Sequence, residues 1–266
     1  MNRDYILGNK SAWEETLERN PDFGVDNWKI LKEETFPFLY EDLVDEIKRY
    51  DLKEKNVLQL CCNNGREISS ITKGTKAAYG LGIDIAENFI KQGKENAEKA
   101  GINCEFIATD VLEIQEELID KFDAVFFIIG ANCWFEDLAE LYAVAAKYLR
   151  HDGLLFIFEI HSCSDMLLMP QDSGYDKNEP LKIGWSYFRK EPFLDDNGMG
   201  YISGAVEQSK VFTSFSHTMS DVINGVVENG LKILKLQEYD YDTGANFPHL
   251  SGKGFPLTYL LVAQKE

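Results

Sequence analysis

The chain has 266 residues, 44% of them hydrophobic and 27% charged, which supports a large packed core and excludes wholesale disorder. Twenty-seven basic residues against 45 acidic ones leave a formal charge of −18. Such a surface repels phosphate backbones, so neither nucleic acid nor an anionic membrane is expected as a partner.

Five cysteines, at 61, 62, 104, 133 and 163, include no CxxC pair, and several sit inside apolar runs such as "VLQLCC". They read as reduced thiols, not a disulfide or zinc framework, and no metal site is expected. The N-terminal "MNRDYILGNK" lacks the apolar centre of a signal peptide, and no apolar run approaches the ~18 residues of a membrane span. A cytoplasmic location is the expectation.

Residues 1–55 are polar with scattered aromatics and read as an N-terminal helical cap. The clearest helix there is expected to follow Pro37, with Leu39, Leu43 and Ile47 on one face. From 56 onward, short apolar runs alternate with amphipathic stretches. Strands are predicted at 56–61, 77–84, 104–110, 122–130 and 153–160, and helices at 66–73, 86–100 and 137–149. Alternation of this kind means right-handed βαβ units and a parallel sheet covered on both faces. Residues 161–211, rich in proline, glycine and aromatics, are too long for a plain connection and read as a lid insertion. A helix at 219–230 and strands at 231–241 and 256–265 follow. With no helix between them, those two strands pair antiparallel. The fold class is therefore α/β, a doubly wound, seven-stranded, mostly parallel sheet with an antiparallel terminal pair; 56–266 form its domain.

In such a sheet the ligand binds beyond the carboxyl ends of the strands, near the first βα turn. Here that turn, "LQLCCNNGRE", has one glycine, Gly65, in place of the GxGxxG that a pyrophosphate needs, which argues against a nicotinamide or flavin dinucleotide. Asp84 closes the second strand 19 residues after Gly65, where a carboxylate can accept both hydroxyls of a ribose. Asp110 ends the third strand, placed to accept from an adenine amine while the Val111 backbone meets the ring. Either acid alone is more often a helix N-cap than a ligand. Together, in consecutive turns at one sheet edge, they point to a nucleoside site.

The segments "VLQLCCNNGRE", "GLGIDIAENFI", "FIATDVLEI", "FDAVFFIIGANCWFEDL" and "LRHDGLLFIFEIH", in order from 57 to 161, resemble the class I S-adenosylmethionine-dependent methyltransferases. The resemblance implies a Rossmann-like methyltransferase fold and S-adenosyl-L-methionine as cofactor. It places the three glycines of the glycine-rich motif on Cys61, Asn63 and Gly65, two of them replaced, counts Cys62 between them among the cofactor-binding residues, and puts Gln59 where an acid is usual. It assigns Asp84 to the ribose, Ile85 to the adenine face, and Asp110 and Val111 to the adenine edge. Gly130 and Trp134 fall near the methionine moiety, Trp134 reading equally as a core aromatic.

The implied reaction is methyl transfer to a small-molecule acceptor through an N or O nucleophile. His161, after the fifth strand and beside Glu159, and His217, before the next helix, are the candidate bases. Tyr201 is a further candidate, and "MLLM" (166–169) a candidate pocket wall. Basic residues form no stripe on the cofactor edge, where Asp84, Asp110, Glu136 and Asp137 stand, which suits a neutral or amine-bearing acceptor. The glycine-poor turn motivates an alternative, a cofactor-binding protein without catalysis. Protein or RNA methylation is a further alternative, although no Asn-Pro-Pro-Tyr or Asp-Pro-Pro-Tyr run follows the fourth strand.

Overall fold

A computed structural model describes residues 3–204 and 208–266; residues 205–207 of the 161–211 insertion lie outside the described residues. The parallel strands are β1 (Asn56–Leu60), β2 (Tyr79–Asp84), β3 (Cys104–Ala108), β4 (Phe122–Ile128) and β5 (Leu149–Ile160). Between them lie α4 (Arg66–Thr75), α5 (Glu87–Ala100) and α6 (Leu138–Tyr148). After the insertion come α8 (Met219–Glu228), β8 (Leu231–Tyr239) and β9 (Thr258–Lys265). The seven strands form one sheet in the order β3-β2-β1-β4-β5-β9-β8, in which β9 runs antiparallel to both neighbours. The expected doubly wound sheet and its terminal antiparallel pair are both present.

Side chains alternate across a strand, so an apolar central strand builds two cores at once. On one face Phe126 stacks on Phe156 at 4.8 Å, with α4, α5 and the N-terminal helix α3 (Glu41–Ile47) supplying Ile68, Ile90 and Leu43. On the other face Phe127 and Ile157 meet Leu141 of α6 and Val226 of α8. Helix α8 is fixed at its start by a capping box, in which Thr218 and Asp221 exchange bonds with each other's backbone amides.

The cap residues form α1 (Asp4–Arg19), α2 (Asn27–Glu33) and α3. Pro37 does not open α3 as expected. Phe38 takes a left-handed φ of 65°, and the helix begins only at Glu41, where two acids stand in its first turn. Leu43 and Ile47 are nonetheless buried on one face as the spacing required. The insertion contains elements too short to read from periodicity, β6 (Phe193–Asp195) and the single turn α7 (Gly200–Ser203), and just after it comes β7 (Phe212–Ser214), paired antiparallel to β6. Among the described residues, no helix is long and apolar enough to cross a membrane.

Candidate functional site

One cavity of about 1070 Å³ opens at the carboxyl ends of β1, β2 and β4 and extends beneath the insertion. Its floor starts at the turn after β1. Cys61, Asn63 and Gly65 have φ of 57°, 51° and 64°, all in the left-handed region that favours glycine. The backbone thus keeps the alternating path of a glycine motif with side chains at two of its three positions. Cys61, Cys62 and Asn63 line the cavity; Gly65 does not. It packs against Phe106 so tightly that an added Cβ would stand 1.9 Å from Phe106 Cε1. Burial pushes the Cys61 and Cys62 thiols well above their ordinary range, so both are protonated at neutral pH.

Asp84 lies at the end of β2 and lines the same cavity. Its carboxylate accepts from the Asn63 amide at 2.8 Å and the Ala86 amide at 3.0 Å. Burial raises its pKa, and these amides offset the shift. Ile85, Asp110 and Val111 also line the cavity. One Asp110 oxygen accepts from the Leu112 amide at 2.9 Å, the local turn that an N-cap reading anticipates.

The turn after β4 is held by a residue that sequence reasoning mentioned only as a neighbour. Glu159 is 2% exposed, and its carboxylate accepts from the amides of Gly130 (2.6 Å), Ala131 (2.6 Å), Asn132 (3.1 Å) and Ile160 (3.2 Å). Burial raises its pKa, opposed by all four amides. Gly130, at φ 84°, and Trp134 border the cavity on this turn. The Trp134 ring also packs edge-on to Trp13 of α1 at 5.5 Å and lies 5.8 Å from Phe212 of β7. Trp134 is thus a packed aromatic that also borders the cavity.

The roof comes from parts of the chain far apart in sequence. Asn9 of α1 donates to the Thr213 carbonyl and accepts from the Thr213 amide, both at 2.8 Å, imitating one rung of a β-ladder. Met169 and Trp185 of the insertion and Phe247 of the β8–β9 connection complete the far wall. The β8–β9 connection carried no sequence signal beyond its turn residues.

The two candidate histidines differ. His161 does not line the cavity: its ring is buried, Nε2 donates to Glu238 of β8 at 2.8 Å, and Nδ1 accepts from the Cys163 amide at 3.1 Å. With both nitrogens spent, it is a structural residue joining β5 to β8, a correction to its expected place at the acceptor. His217 does line the cavity. Its Nε2 donates to the Phe135 carbonyl at 2.9 Å, which makes Nδ1 the unprotonated nitrogen of the neutral ring. Burial lowers its pKa and outweighs that bond, so the ring is neutral at pH 7. Asp165, in the turn after β5, is a further titratable group on the wall. Burial, with the Glu159 charge, pushes its pKa up to about 7. Tyr201 and Met169 also line the cavity.

A family profile described as a methyltransferase domain matches residues 57–153, from the first strand to the start of the fifth. Residues 57–153 are a methyltransferase domain. Over most of its length the chain carries the fold of S-adenosylmethionine-dependent methyltransferases. One such structure, from Mesorhizobium loti, is 17% identical, covers 83% of this chain and 96% of its own, and superposes with a TM-score of 0.59. Another, from Clostridium acetobutylicum, is 12% identical over 93% and 98% of the two chains, with a TM-score of 0.60. At these identities the likeness establishes the fold. Among curated proteins, a candidate protein N5-glutamine methyltransferase of Methanocaldococcus jannaschii is 31% identical over 102 residues, 36% of this chain and 49% of that protein. The chain spans about half the length of that relative.

The methyltransferase domain fits the cofactor of its fold on the structure's own terms. Gln59 Oε1 and Asn132 Oδ1, both on the cavity wall, are buried without a hydrogen-bond partner among the described residues. Buried acceptors lacking donors suit a ligand bearing N–H groups, as the ammonium of S-adenosylmethionine does. The absence of a phosphate-cradling glycine loop is no obstacle, since that cofactor has no phosphate.

Proposed function

We propose that the protein transfers a methyl group from S-adenosylmethionine to an N or O nucleophile of a small-molecule acceptor. The observation that carries this reading is the continuity of one cavity from Asp84 to His217 and the insertion. When bound, the cofactor supplies a sulfonium methyl primed for displacement.

The chain's own residues bind, orient and exclude water. Asp84 accepts from the ribose hydroxyls, Ile85 covers the adenine, and Asp110 with the Val111 amide reads the adenine edge. Cys61, Cys62, Asn63 and Gly65 shape the turn against the methionine end, with Gly130 and Trp134 opposite. An aromatic wall suits a positive sulfur through cation–π attraction. His217 Nδ1 takes the proton of a protonated nucleophile, a role available only to a neutral ring. Residues 1–55 and 161–211 act as cap and lid, excluding water from the reacting atoms. The free cysteines agree with a reducing cytoplasm as its location.

A roofed cavity favours a small acceptor over a macromolecule. The second reading, cofactor binding without catalysis, rested on the glycine-poor turn, and the retained left-handed backbone at Cys61 and Asn63 weakens it. A relative in Clostridium acetobutylicum, named an uncharacterized RNA methyltransferase, is 33% identical over 88 residues, 19% of its length, so RNA belongs among the acceptors tested. Calorimetry with S-adenosylhomocysteine, followed by labelled methyl transfer across small-molecule, peptide and RNA acceptors, tests the proposal. Absence of homocysteine-derivative binding would overturn it; methylation of RNA or peptide alone would overturn the acceptor class.

A further inference from the structure

Arg189 differs from the other arginines. Arg3, Arg19, Arg49, Arg66 and Arg150 each pair with a carboxylate, respectively Glu140, Glu15, Glu46, Glu67 and Asp123. Arg189 pairs with none among the described residues, in a chain that carries 45 acids. It is nonetheless held rigidly. Its guanidinium lies 4.9 Å from the Trp185 ring centre and 4.3 Å from that of Phe193, and those rings meet edge-on at 5.4 Å. Nε donates to the Glu191 carbonyl at 2.8 Å and Nη2 to the Pro192 carbonyl at 3.1 Å. Nη1 has no partner among the described residues.

Arg189, Trp185 and Phe193 all line the cavity. Of the insertion's acids on the cavity wall, Asp172 accepts from the Met169 amide at 2.7 Å and Asp195 from the Asn197 amide at 2.8 Å, while burial pushes Asp165 toward its protonated form. Guanidinium keeps its charge at every physiological pH and presents forked donors that match an oxyanion. Two aromatic faces and two carbonyl bonds remove the rotamer entropy that a ligand would otherwise have to freeze. A clip for the Glu191–Pro192 turn needs the two carbonyl bonds, but not a charge and a spare donor left without partners among the described residues in a cavity.

We propose that Arg189 is the anion-recognising residue of the acceptor subsite, so that the acceptor carries one oxyanion group, carboxylate or phosphoryl. The inference rests on the methyl-transfer reading only in naming that ligand the methyl acceptor. One anion at Arg189 is compatible with Asp84 and Asp110 on the same cavity wall, and an amine elsewhere on the same molecule would suit those acids.

Two matched pairs of probes test it by calorimetry, with and without saturating S-adenosylhomocysteine: benzoate against benzamide, and phenyl phosphate against phenol. At least one anion is expected to bind the wild type roughly tenfold or more tightly than its neutral partner, the worth of one charge-assisted bond. That preference is expected to vanish in Arg189→Gln and to survive in reduced form in Arg189→Lys, which keeps the charge without the fork. Whichever anion shows the larger preference identifies the source. Equal binding within both pairs, no anion binding, or a preference unchanged in Arg189→Gln overturns the inference. Should Arg189→Gln not fold, the Lys variant decides: an undiminished preference there excludes recognition by the fork. Failure of S-adenosylhomocysteine to bind sinks the methyl-transfer reading alone, since the probe comparison without it still stands.

Discussion

The Asn63 amide donates to the Asp84 carboxylate at 2.8 Å, fastening the turn after β1 to the end of β2. The carboxylate proposed to hold the ribose is thus also what positions the neighbouring loop. Asp84→Ala leaves two amides unsatisfied, at a cost of about 1–3 kcal/mol each if they stay buried. S-adenosylhomocysteine affinity is expected to fall at least tenfold, together with a lower urea midpoint; Asp84→Asn should retain part of both. Calorimetry and urea denaturation make the comparison.

Left-handed backbone at Cys61, Asn63 and Gly65 makes a second prediction, with unequal costs at alternate positions. Cys61→Gly and Asn63→Gly suit the existing φ, and each is expected to change stability by no more than about 1 kcal/mol. Gly65→Ala meets both a positive φ and the Phe106 ring, and is expected to cost ~2 kcal/mol or more. Chemical denaturation of the three variants is the check, with unchanged stability of Gly65→Ala the outcome that would contradict it.

Asp165 gives a pH signature. Its pKa rises from 3.8 to about 7 on folding, so between those values the folded protein binds the extra proton. Stability contributed by this group is fully present below pH 3.8 and is lost as pH climbs through about 7. Asp165→Asn removes the cost of the buried charge, so the variant should melt higher than the wild type at pH 8, with the gap closing toward pH 5. Thermal melts across that range read it directly, and a gap that stays constant with pH would contradict it.

His217→Gln keeps a polar ring substitute but no basic nitrogen of suitable strength. With an amine or hydroxyl acceptor, kcat is expected to fall roughly 10²–10⁴-fold while S-adenosylhomocysteine affinity is unchanged. In the wild type the rate should fall as pH drops through the depressed pKa of His217, because the protonated ring cannot accept. His161→Gln, by contrast, should lower stability through the lost Glu238 bond and leave the pH profile in place.

Much of this molecule can be read from its residues, and the limits are physical. Runs such as "FDAVFFIIG" announce buried parallel strands because both faces must be apolar, and the acids at 84 and 110 line one cavity because strand ends share an edge. Side-chain direction at a strand's end is another matter. His161 lies two residues beyond Glu159 at the correct edge, yet it turns to Glu238, a partner 77 residues away in sequence. The role of Glu159 was hidden for the same reason: its four amide bonds depend on where the β4 turn passes in space. Three-residue strands such as β6 and β7 are too short for any periodicity. Pro37 signalled a helix start, but the turn at Phe38 delayed it by one turn of chain.

The rung between Asn9 and Thr213 joins positions 204 residues apart. Loop-closure entropy disfavours so distant a contact until the intervening sheet has brought its ends together, so it is expected to form late in folding. By the same accounting it is among the first contacts to open, releasing α1 from β7 while the seven strands stay paired. Asn9 also lines the cavity, so opening of this rung would loosen the cavity wall where the first helix meets β7.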